Sequence, residues 1–388
     1  MAIKSYKGFD KNLRCRGFQY KIGGIYEMDG KIKMCNRGFH ACESPFDVFD
    51  YYTMIDSRFC EVEQDGNISK EDRGTKICSS KIKIKAELKL AGMINLGVEW
   101  LKEITSPEKI KTSIKDNSSG NYAKIGSSGN DAQIGSSGNN AQIGSSGYGA
   151  KIGSSGNDAQ IGSSGNDAQI GSSGNNAKIG SSGNDAQIGS SGNNAQIGSS
   201  GYGAKIGSSG NNAQIGSSGY GAKIGSSGNN AKIGSSGNDA QIGSSGNNAQ
   251  IGSSGNNAQI GSSGYGAKIG SSGYGVKIGS SGNDAKIGSS GDEAQIGSSS
   301  DGAKISSSGY GAKIDSTGED CVIMCAGINS VAKASKGSWV TLSEWSYSEE
   351  KQRYIPICVK TEFVDGEKIK ADTYYSLKGG VFVEWIND

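Results

Sequence analysis

The sequence has little of what marks several common protein classes. Of 388 residues, three are proline and one is histidine, and 40 Lys and Arg against 38 Asp and Glu leave a net charge of +2. Such a small charge creates no strong field to attract nucleic acid or a membrane surface. We therefore expect neither nucleic acid nor a membrane among the partners.

Long apolar runs are also missing. No stretch of about 18 apolar residues occurs, and the first residues, MAIKSYKGFDKN, contain no apolar signal region. Eight cysteines at irregular spacing, without a signal peptide, indicate thiols rather than a disulfide framework. These absences predict a soluble cytoplasmic protein.

Glycine, by contrast, is abundant, with 64 residues. Gly and Ser concentrate in a central block, whereas aromatic residues and cysteines gather at the two ends. This shift predicts an α+β N-terminal capping domain (1–111), a repeat region (112–336) and a β-rich C-terminal cap or association domain (337–388).

The central block consists of 22 consecutive nine-residue repeats, from Asn121 to Gly318, with the pattern N-x-A-[KQ]-I-G-S-S-G. Ile occupies position five in all 22 repeats, which a flexible Gly/Ser linker has no reason to maintain. One repeat cannot bury its Ile, but stacked repeats bury a continuous stripe. The pattern therefore predicts a mainly β protein built on a parallel β-solenoid.

Each repeat is expected to hold one short strand over positions one to five and a turn at G-S-S-G. Alternation along the strand places Ala and Ile inward and the Lys or Gln of position four outward. The first lysines of the repeats recur every 27 residues, at Lys124, Lys151, Lys178 and Lys205. Three repeats per coil would stack these like charges about 4.8 Å apart, whereas two repeats place them on alternate faces. We therefore predict two repeats per coil.

No cofactor is expected for the repeats. Calcium-binding nonapeptide rolls carry a regular Asp, but here that position is Asp in only six repeats: Asp131, Asp158, Asp167, Asp185, Asp239 and Asp284. DNA mimicry needs an acidic surface, and the repeats hold 11 Lys against nine Asp and one Glu. Ice binding needs a flat array of hydroxyl groups, and the serines are expected in turns.

Six repeats replace Asn at position one with Tyr, followed by Gly and then by Lys at position four. The tyrosines are Tyr148, Tyr202, Tyr220, Tyr265, Tyr274 and Tyr310, and the lysines are Lys151, Lys205, Lys223, Lys268, Lys277 and Lys313. Amphipathic aromatic residues near a cation are common in interfaces, so these are the candidate binding residues. The alternative is that each tyrosine shields its own neighbours, with Gly making room.

The N-terminal segment is expected to be a small α+β domain. The runs SYKGF, RCRGFQY and KIKMC alternate as strands do, and Thr75–Lys85 predicts another strand. A helix should begin near Ser44 as N-cap with Pro45 in its first turn. Residues 90–104 have the pattern of an amphipathic helix leading into the repeats.

Cys35, His40 and Cys42 form the densest group of reactive side chains. They could supply three zinc ligands, with Cys15 or Cys60 as a fourth, but the spacing matches no common zinc module. A Cys–His nucleophile pair would lack an orienting partner. Alternating residues of this kind on a strand are more typical of core packing, so we predict no metal site.

The N-terminal sequence YKGFDKNLRCRGFQY…KMCNRGFHACESPFDVFDYY resembles the N-terminal domain of uncharacterised phage and prophage proteins, in which short variable repeats often follow. The tail VDGEKIKADTYYSLKGGVFVEW resembles the closing β-segment of the same proteins. Together the two matches cover roughly 1–90 and 355–388. The resemblance implies a mobile-element origin and brings no established activity or catalytic residues.

A second resemblance concerns ADP-ribosyltransferase folds. Arg16-Gly17-Phe18, followed by Gly38-Phe39-His40 and a helix ending in an aromatic residue, is similar to their motifs. Those enzymes need a late catalytic Glu, for which Glu61 or Glu63 is a loose match, and their S-T-S motif is absent here. The resemblance implies an enzyme in the N-terminal domain as an alternative.

The C-terminal segment is expected to form β-hairpins with turns at Asp365-Gly366 and Gly379-Gly380. Its tryptophans, Trp339, Trp345 and Trp385, offer apolar bulk for a cap or for joining two copies of the chain. The preferred interpretation of the whole chain is a non-enzymatic, phage- or prophage-derived solenoid in the bacterial host cell. It would bind a host protein or protein complex and inhibit a bacterial defence system. A structural fibre, spike or surface rod is the alternative from another class.

Overall fold

The computed structural model describes residues 2–54, 56–71, 74–104 and 120–386. The predicted decay of the repeat over 112–119 and the domain boundary at 111 lie outside these residues. The chain divides into two compact units. The first comprises Met1–Ile206 with Gln214–Gly219, and the second comprises Gly207–Ala213 with Tyr220–Asp388.

The N-terminal part of the first unit is built on an antiparallel sheet with the strand order β4-β7-β5-β1-β6. Its elements are β1 (Ile3–Phe9), β2 (Arg14–Cys15), β3 (Phe18–Gln19), β4 (Ile25–Glu27), β5 (Phe39–Cys42), a 3₁₀ helix (Phe46–Asp50), β6 (Arg58–Lys70), β7 (Lys76–Leu88) and α1 (Leu90–Ile104). Strands β6 and β7 also pair with each other, so that β7, β5, β1 and β6 close into a ring.

Several N-terminal predictions are confirmed and others are wrong. Helix α1 has the predicted bounds, and β7 contains most of the predicted strand 75–85. The run KIKMC is not a strand, since only a single bridge joins Lys33 to Arg37. The predicted helix start is also wrong. A short 3₁₀ helix follows Pro45 without a side-chain cap, and the hydroxyl of Ser44 is buried without a hydrogen-bond partner.

Each of the 22 repeats contributes one four-residue strand. They are β8 (Lys124–Ser127), β9 (Gln133–Ser136), β10 (Gln142–Ser145), β11 (Lys151–Ser154), β12 (Gln160–Ser163), β13 (Gln169–Ser172), β14 (Lys178–Ser181), β15 (Gln187–Ser190), β16 (Gln196–Ser199), β17 (Lys205–Ser208), β18 (Gln214–Ser217), β19 (Lys223–Ser226), β20 (Lys232–Ser235), β21 (Gln241–Ser244), β22 (Gln250–Ser253), β23 (Gln259–Ser262), β24 (Lys268–Ser271), β25 (Lys277–Ser280), β26 (Lys286–Ser289), β27 (Gln295–Ser298), β28 (Lys304–Ser307) and β29 (Lys313–Ser316).

The prediction of a parallel β-solenoid with two repeats per coil is confirmed. Even-numbered strands pair with even-numbered strands, and odd with odd, each shifted by 18 residues. Ile125 thus lies beside Ile143 in the first unit, and Ile242 beside Ile260 in the second. The charge argument for this coil is weaker than expected, because Lys268, Lys286 and Lys304 of the second unit stack in direct register.

The predicted position of strand and turn within the repeat is wrong. The strand covers positions four to seven, so Ala, Ile and the first Ser face inward, and the serines of position seven are buried. The turn lies at Gly-Asn-x, where the residue at position two has φ between 54° and 67°. Asn, Asp and Gly tolerate this left-handed conformation, which explains why they dominate there.

Glycine is needed at position nine because two coils approach closely there. In the second unit, a Cβ atom on Gly264 would overlap the carbonyl oxygen of Gly246, one coil earlier. The asparagines at position one form a second coil-to-coil contact. Asn229 accepts a hydrogen bond at Oδ1 from the backbone N–H of Asn247, at 2.9 Å, and this ladder recurs in both units.

The C-terminal strands of the second unit extend the solenoid sheets. They are β30 (Val322–Cys325), β31 (Val331–Ala334), β32 (Trp339–Ser348), β33 (Arg353–Phe363), β34 (Tyr375–Lys378) and β35 (Val381–Glu384). Strand β32 is parallel to β30, and β33 forms a long antiparallel hairpin with β32. The predicted turn at Gly379-Gly380 joins β34 to β35. The one at Asp365-Gly366 is wrong, because β33 and β34 are not paired.

Candidate functional site

The six candidate tyrosines are all exposed, with 44–56% of their surface accessible. In the first unit, Tyr148 and Tyr202 lie at the corners that precede odd-numbered strands. In the second unit the same is true of Tyr220, Tyr274 and Tyr310, whereas Tyr265 precedes an even-numbered strand. We call the corner that precedes the odd-numbered strands the tyrosine corner.

The tyrosine hydroxyls contact position two of the next coil. Hydrogen bonding to Asp167, Asp284 and Glu293 raises the pKa of Tyr148, Tyr265 and Tyr274, respectively. The hydroxyl of Tyr310 likewise accepts a hydrogen bond from Asn329 at 3.0 Å. These bonds run along the corner.

The glycine after each tyrosine makes room for the coil before it. A Cβ atom on Gly149 would lie 2.5 Å from Oδ1 of Asp131, and one on Gly275 would lie 2.9 Å from Oδ1 of Asn257. Gly also adopts the positive φ of position two without strain.

The candidate lysines project from the outer faces of the sheets, and five of the six belong to odd-numbered strands. Lys268 is the one on an even-numbered strand. Lys313 is covered by the C-terminal segment, because its ammonium lies 4.4 Å from the ring centre of Tyr374 and 5.0 Å from that of Trp385. The other candidate lysines are exposed.

Helix α1 packs against the outer face of the even-numbered strands in the first unit. Position six of the repeat is glycine, and a Cβ atom there would press into the helix. It would lie 2.9 Å from Leu101 at Gly162 and 2.6 Å from Ile94 at Gly198. On the odd-numbered strands, the glycine at the same position, Gly153, meets nothing within 4 Å. The glycines of position six thus give α1 a smooth seat.

A buried ion pair joins the same two parts of the first unit. Nζ of Lys178 lies 2.9 Å from Oδ1 of Asp47 and 2.7 Å from Oδ2 of Asp50, on the 3₁₀ helix. Burial alone would lower the pKa of Lys178, but the two carboxylates more than offset this and raise it. Among the described residues, Lys178 is the one buried lysine of the repeats. It therefore marks where the N-terminal domain sits.

The N-terminal domain also contains a cavity of about 940 Å³. Four cationic side chains line it, from Lys7, Arg16, Arg37 and Lys76. The one carboxylate in the lining, Glu27, forms an ion pair with Lys81 at 3.1 Å. The cavity is therefore a basic site in a protein whose net charge is close to zero.

Lys7 is the most unusual of these cations. It is buried, and its ammonium donates a hydrogen bond to the carbonyl oxygen of His40 at 2.8 Å. Burial lowers its pKa, which the nearby thiols of Cys15 and Cys42 only partly oppose. Among the described residues, no carboxylate forms an ion pair with Lys7.

His40 records the positive potential inside the cavity. Burial lowers its pKa, and the charges of Lys7, Lys76 and Arg16 lower it further. Its Nε2 accepts a hydrogen bond from the backbone N–H of Cys35 at 3.0 Å, which leaves the proton of the neutral ring on Nδ1.

Aromatic side chains form the opposite side of the lining. Phe18, Tyr20 and Tyr26 meet edge to face, with ring centres 4.9 to 5.5 Å apart, and Phe18 is half exposed. Tyr52 links this cluster to the cations, because its hydroxyl donates to Sγ of Cys15 at 3.0 Å. The alternating aromatic residues of SYKGF, RGFQY and IYE were the available sequence signal for this site.

The structure does not assemble the catalytic or metal arrangements considered from the sequence. Glu61 and Glu63 lie outside the cavity lining, where they form ion pairs with Lys4 and Lys85. Among residues 2–54, 56–71, 74–104 and 120–386, no group of three or more His, Cys, Asp or Glu side chains is arranged to hold a metal ion. All eight cysteines are thiols.

Residues 3–96 match a domain of unknown function, DUF7666. The match includes β1 to β7, the cavity and the first half of α1, and it ends before the repeats. No curated protein and no solved structure matches the chain. Within the described part of the chain, no helix has the length and hydrophobicity needed to cross a membrane.

Proposed function

We propose that this chain is a non-enzymatic binding protein of phage or prophage origin, whose solenoid presents the tyrosine corner to a host protein. The observation that carries this proposal is the distribution of the exposed tyrosines. Five of the six lie on one kind of corner, although both kinds occur in every coil. Exposed aromatic residues that recur on one corner suit the recognition of a protein surface.

The tyrosines do not serve the fold as well as the residue they replace. At position one, Asn accepts a hydrogen bond from the backbone of the next coil, as Asn130 does from Tyr148 at 3.2 Å. A tyrosine oxygen lies at the far end of the ring and cannot replace this acceptor. Each tyrosine thus gives up one step of the ladder and exposes a large ring. A role in binding explains why such residues recur.

Inhibition of a bacterial defence system is the role that we propose for this binding. The resemblance of both ends of the chain to phage and prophage proteins supports such an origin. A protein that acts by covering a host surface needs no catalytic group. The exposed lysines of the same repeats favour a partner with an acidic surface.

Affinity capture from a bacterial lysate tests the proposal. Five substitutions of corner tyrosines by Asn (Tyr148, Tyr202, Tyr220, Tyr274 and Tyr310) install the residue that most other repeats carry, so the fold should be retained. Tyr265→Asn is the matched control. We expect the wild type and the control to recover one stoichiometric partner and the five-fold variant to lose it. Equal recovery by all three proteins would refute a role for the corner, and no recovery by any of them would favour a structural role.

We further propose that β33 joins two copies of the chain. It is an edge strand, and an apolar outer face formed by Val322, Trp339, Val359 and Phe363 is exposed beside it. Exposed apolar faces and unpaired strand edges favour association.

The sequence of β33 is complementary to itself in an antiparallel arrangement centred on Thr361. Val359 would then face the partner's Phe363, and Lys360 would face the partner's Glu362. Light scattering should find a dimer that Val359→Lys converts to a monomer, whereas Lys351→Glu, outside the paired segment, should leave it unchanged. A wild-type monomer at about 100 μM would contradict this proposal.

A further inference from the structure

The cavity of the N-terminal domain has the charge of an anion-binding site. Lys7, Arg16 and Lys76 all act on His40, so the three cations lie within electrostatic reach of one position. Charged side chains are rarely buried without a partner of opposite sign, because transfer from water is costly. Lys7 is buried beside a cavity with only a carbonyl oxygen and thiols around its ammonium. An anionic ligand would supply the missing partner.

The cavity also has a place for a planar ring. Phe18, Tyr20 and Tyr26 form one aromatic cluster, and Tyr20 and Tyr52 both interact with Cys15, which in turn lies beside Lys7. The aromatic cluster and the cations are therefore adjacent parts of one lining. A volume of about 940 Å³ falls at the upper end of the range for small-molecule sites.

We propose that this cavity binds a small organic anion carrying a planar ring, of the nucleoside monophosphate kind. Lys7 and Arg16 would hold the anionic group, and Phe18 and Tyr26 would contact the ring. This inference rests on residues 3–96 and is independent of the tyrosine corner.

Calorimetry on the full chain separates the two halves of the proposed site. AMP and UMP carry both the ring and the charge, adenosine carries only the ring, and ribose 5-phosphate carries only the charge. We expect AMP or UMP to bind at least tenfold more tightly than either adenosine or ribose 5-phosphate. Phenyl phosphate and 4-hydroxybenzoate extend the test to other ring-bearing anions.

Lys7→Met is the decisive variant, because it keeps the length of the side chain and removes a buried charge that lacks a carboxylate partner. The fold should therefore be retained, and anion binding should weaken at least tenfold while adenosine binding stays unchanged. Lys4→Met, on the same strand but outside the cavity, is the control and should have no effect. Phe18→Ser should weaken adenosine and AMP but leave ribose 5-phosphate unchanged.

Two results would overturn the inference. One is that none of the ring-bearing anions binds at about 1 mM, the weakest affinity that a specific site of this size should show. The other is that they bind equally to the wild type and to Lys7→Met, which would place the ligand elsewhere. Neither result would bear on capture of a protein by the tyrosine corner.

Discussion

Replacing Lys178 by Gln should loosen the N-terminal domain from the even-numbered strands. Gln is the other natural residue at position four, so the strand itself is unaffected. The change leaves Asp47, whose side chain is 15% exposed, without its ammonium partner, and Asp50, which is 44% exposed, likewise. Breaking a fully buried pair costs about 3–5 kcal/mol, and the exposure of Asp50 reduces this to about 2–3 kcal/mol.

Hydrogen exchange measures this loss where it occurs. If α1 exchanges through local opening, a loss of about 2–3 kcal/mol corresponds to roughly 30- to 160-fold faster exchange of its amides. Lys151→Gln removes an exposed lysine from the same position of a neighbouring repeat and should leave the exchange of α1 unchanged. Exchange within twofold of wild type in Lys178→Gln would refute the assignment of this ion pair as a main docking contact. Equal acceleration in both variants would refute its specificity.

Three further predictions concern the same structure. Because its folded-state pKa is raised, Lys178 stabilises the docked state below pH 10.5 and loses this effect as the pH rises through the higher value, so protection of α1 should fall only in alkaline solution. Gly264→Ala should destabilise the protein by about 1–3 kcal/mol in chemical unfolding, whereas Gly261→Ala, where nothing lies within 4 Å, should change stability by less than about 0.5 kcal/mol. Ser253→Ala removes a buried hydroxyl without a hydrogen-bond partner and should leave stability unchanged or raise it by about 1 kcal/mol, so a clear loss would contradict the packing described for position seven.

The solenoid could be predicted because its signal is repeated 22 times. An Ile in constant phase requires a continuous apolar stripe, and the turn-rich remainder leaves room for only one strand per repeat. The spacing of the first lysines pointed to the correct coil, although Lys268, Lys286 and Lys304 show that stacked lysines are tolerated. The constraint that sets the coil is the close backbone approach at position nine.

The strand boundaries were predicted wrongly because two residue types have more than one use. Serine is typical of turns, yet Ser at position seven is small enough to fill the interior beside Ile. Glycine suggested the turn at positions six to nine, yet Gly at position six is extended and provides the seat for α1. The left-handed residue of the turn is Asn, Asp or Gly at position two.

The cavity could not be predicted because its lining comes from separate segments that only the folded sheet brings together. Lys7 lies in β1, Arg16 follows β2, and Lys76 begins β7. In the sequence each is an ordinary cation among many. His40 and the cysteines drew attention to the right region, but they suggested metal or nucleophile chemistry rather than a basic, aromatic cavity.

The arrangement of the tyrosines depends on the coil of two repeats, so the most direct test measures that register. Cysteines in place of Gln241 and Gln259, which are neighbours 18 residues apart, should have Cα atoms about 4.8 Å apart and form a disulfide under mild oxidation. Cysteines in place of Gln241 and Lys268, 27 residues apart, lie on different sheets and should not. Mass spectrometry of the oxidised proteins, compared with the wild type, distinguishes the two outcomes. A disulfide in the second pair and not in the first would mean three repeats per coil and would contradict the shared tyrosine corner.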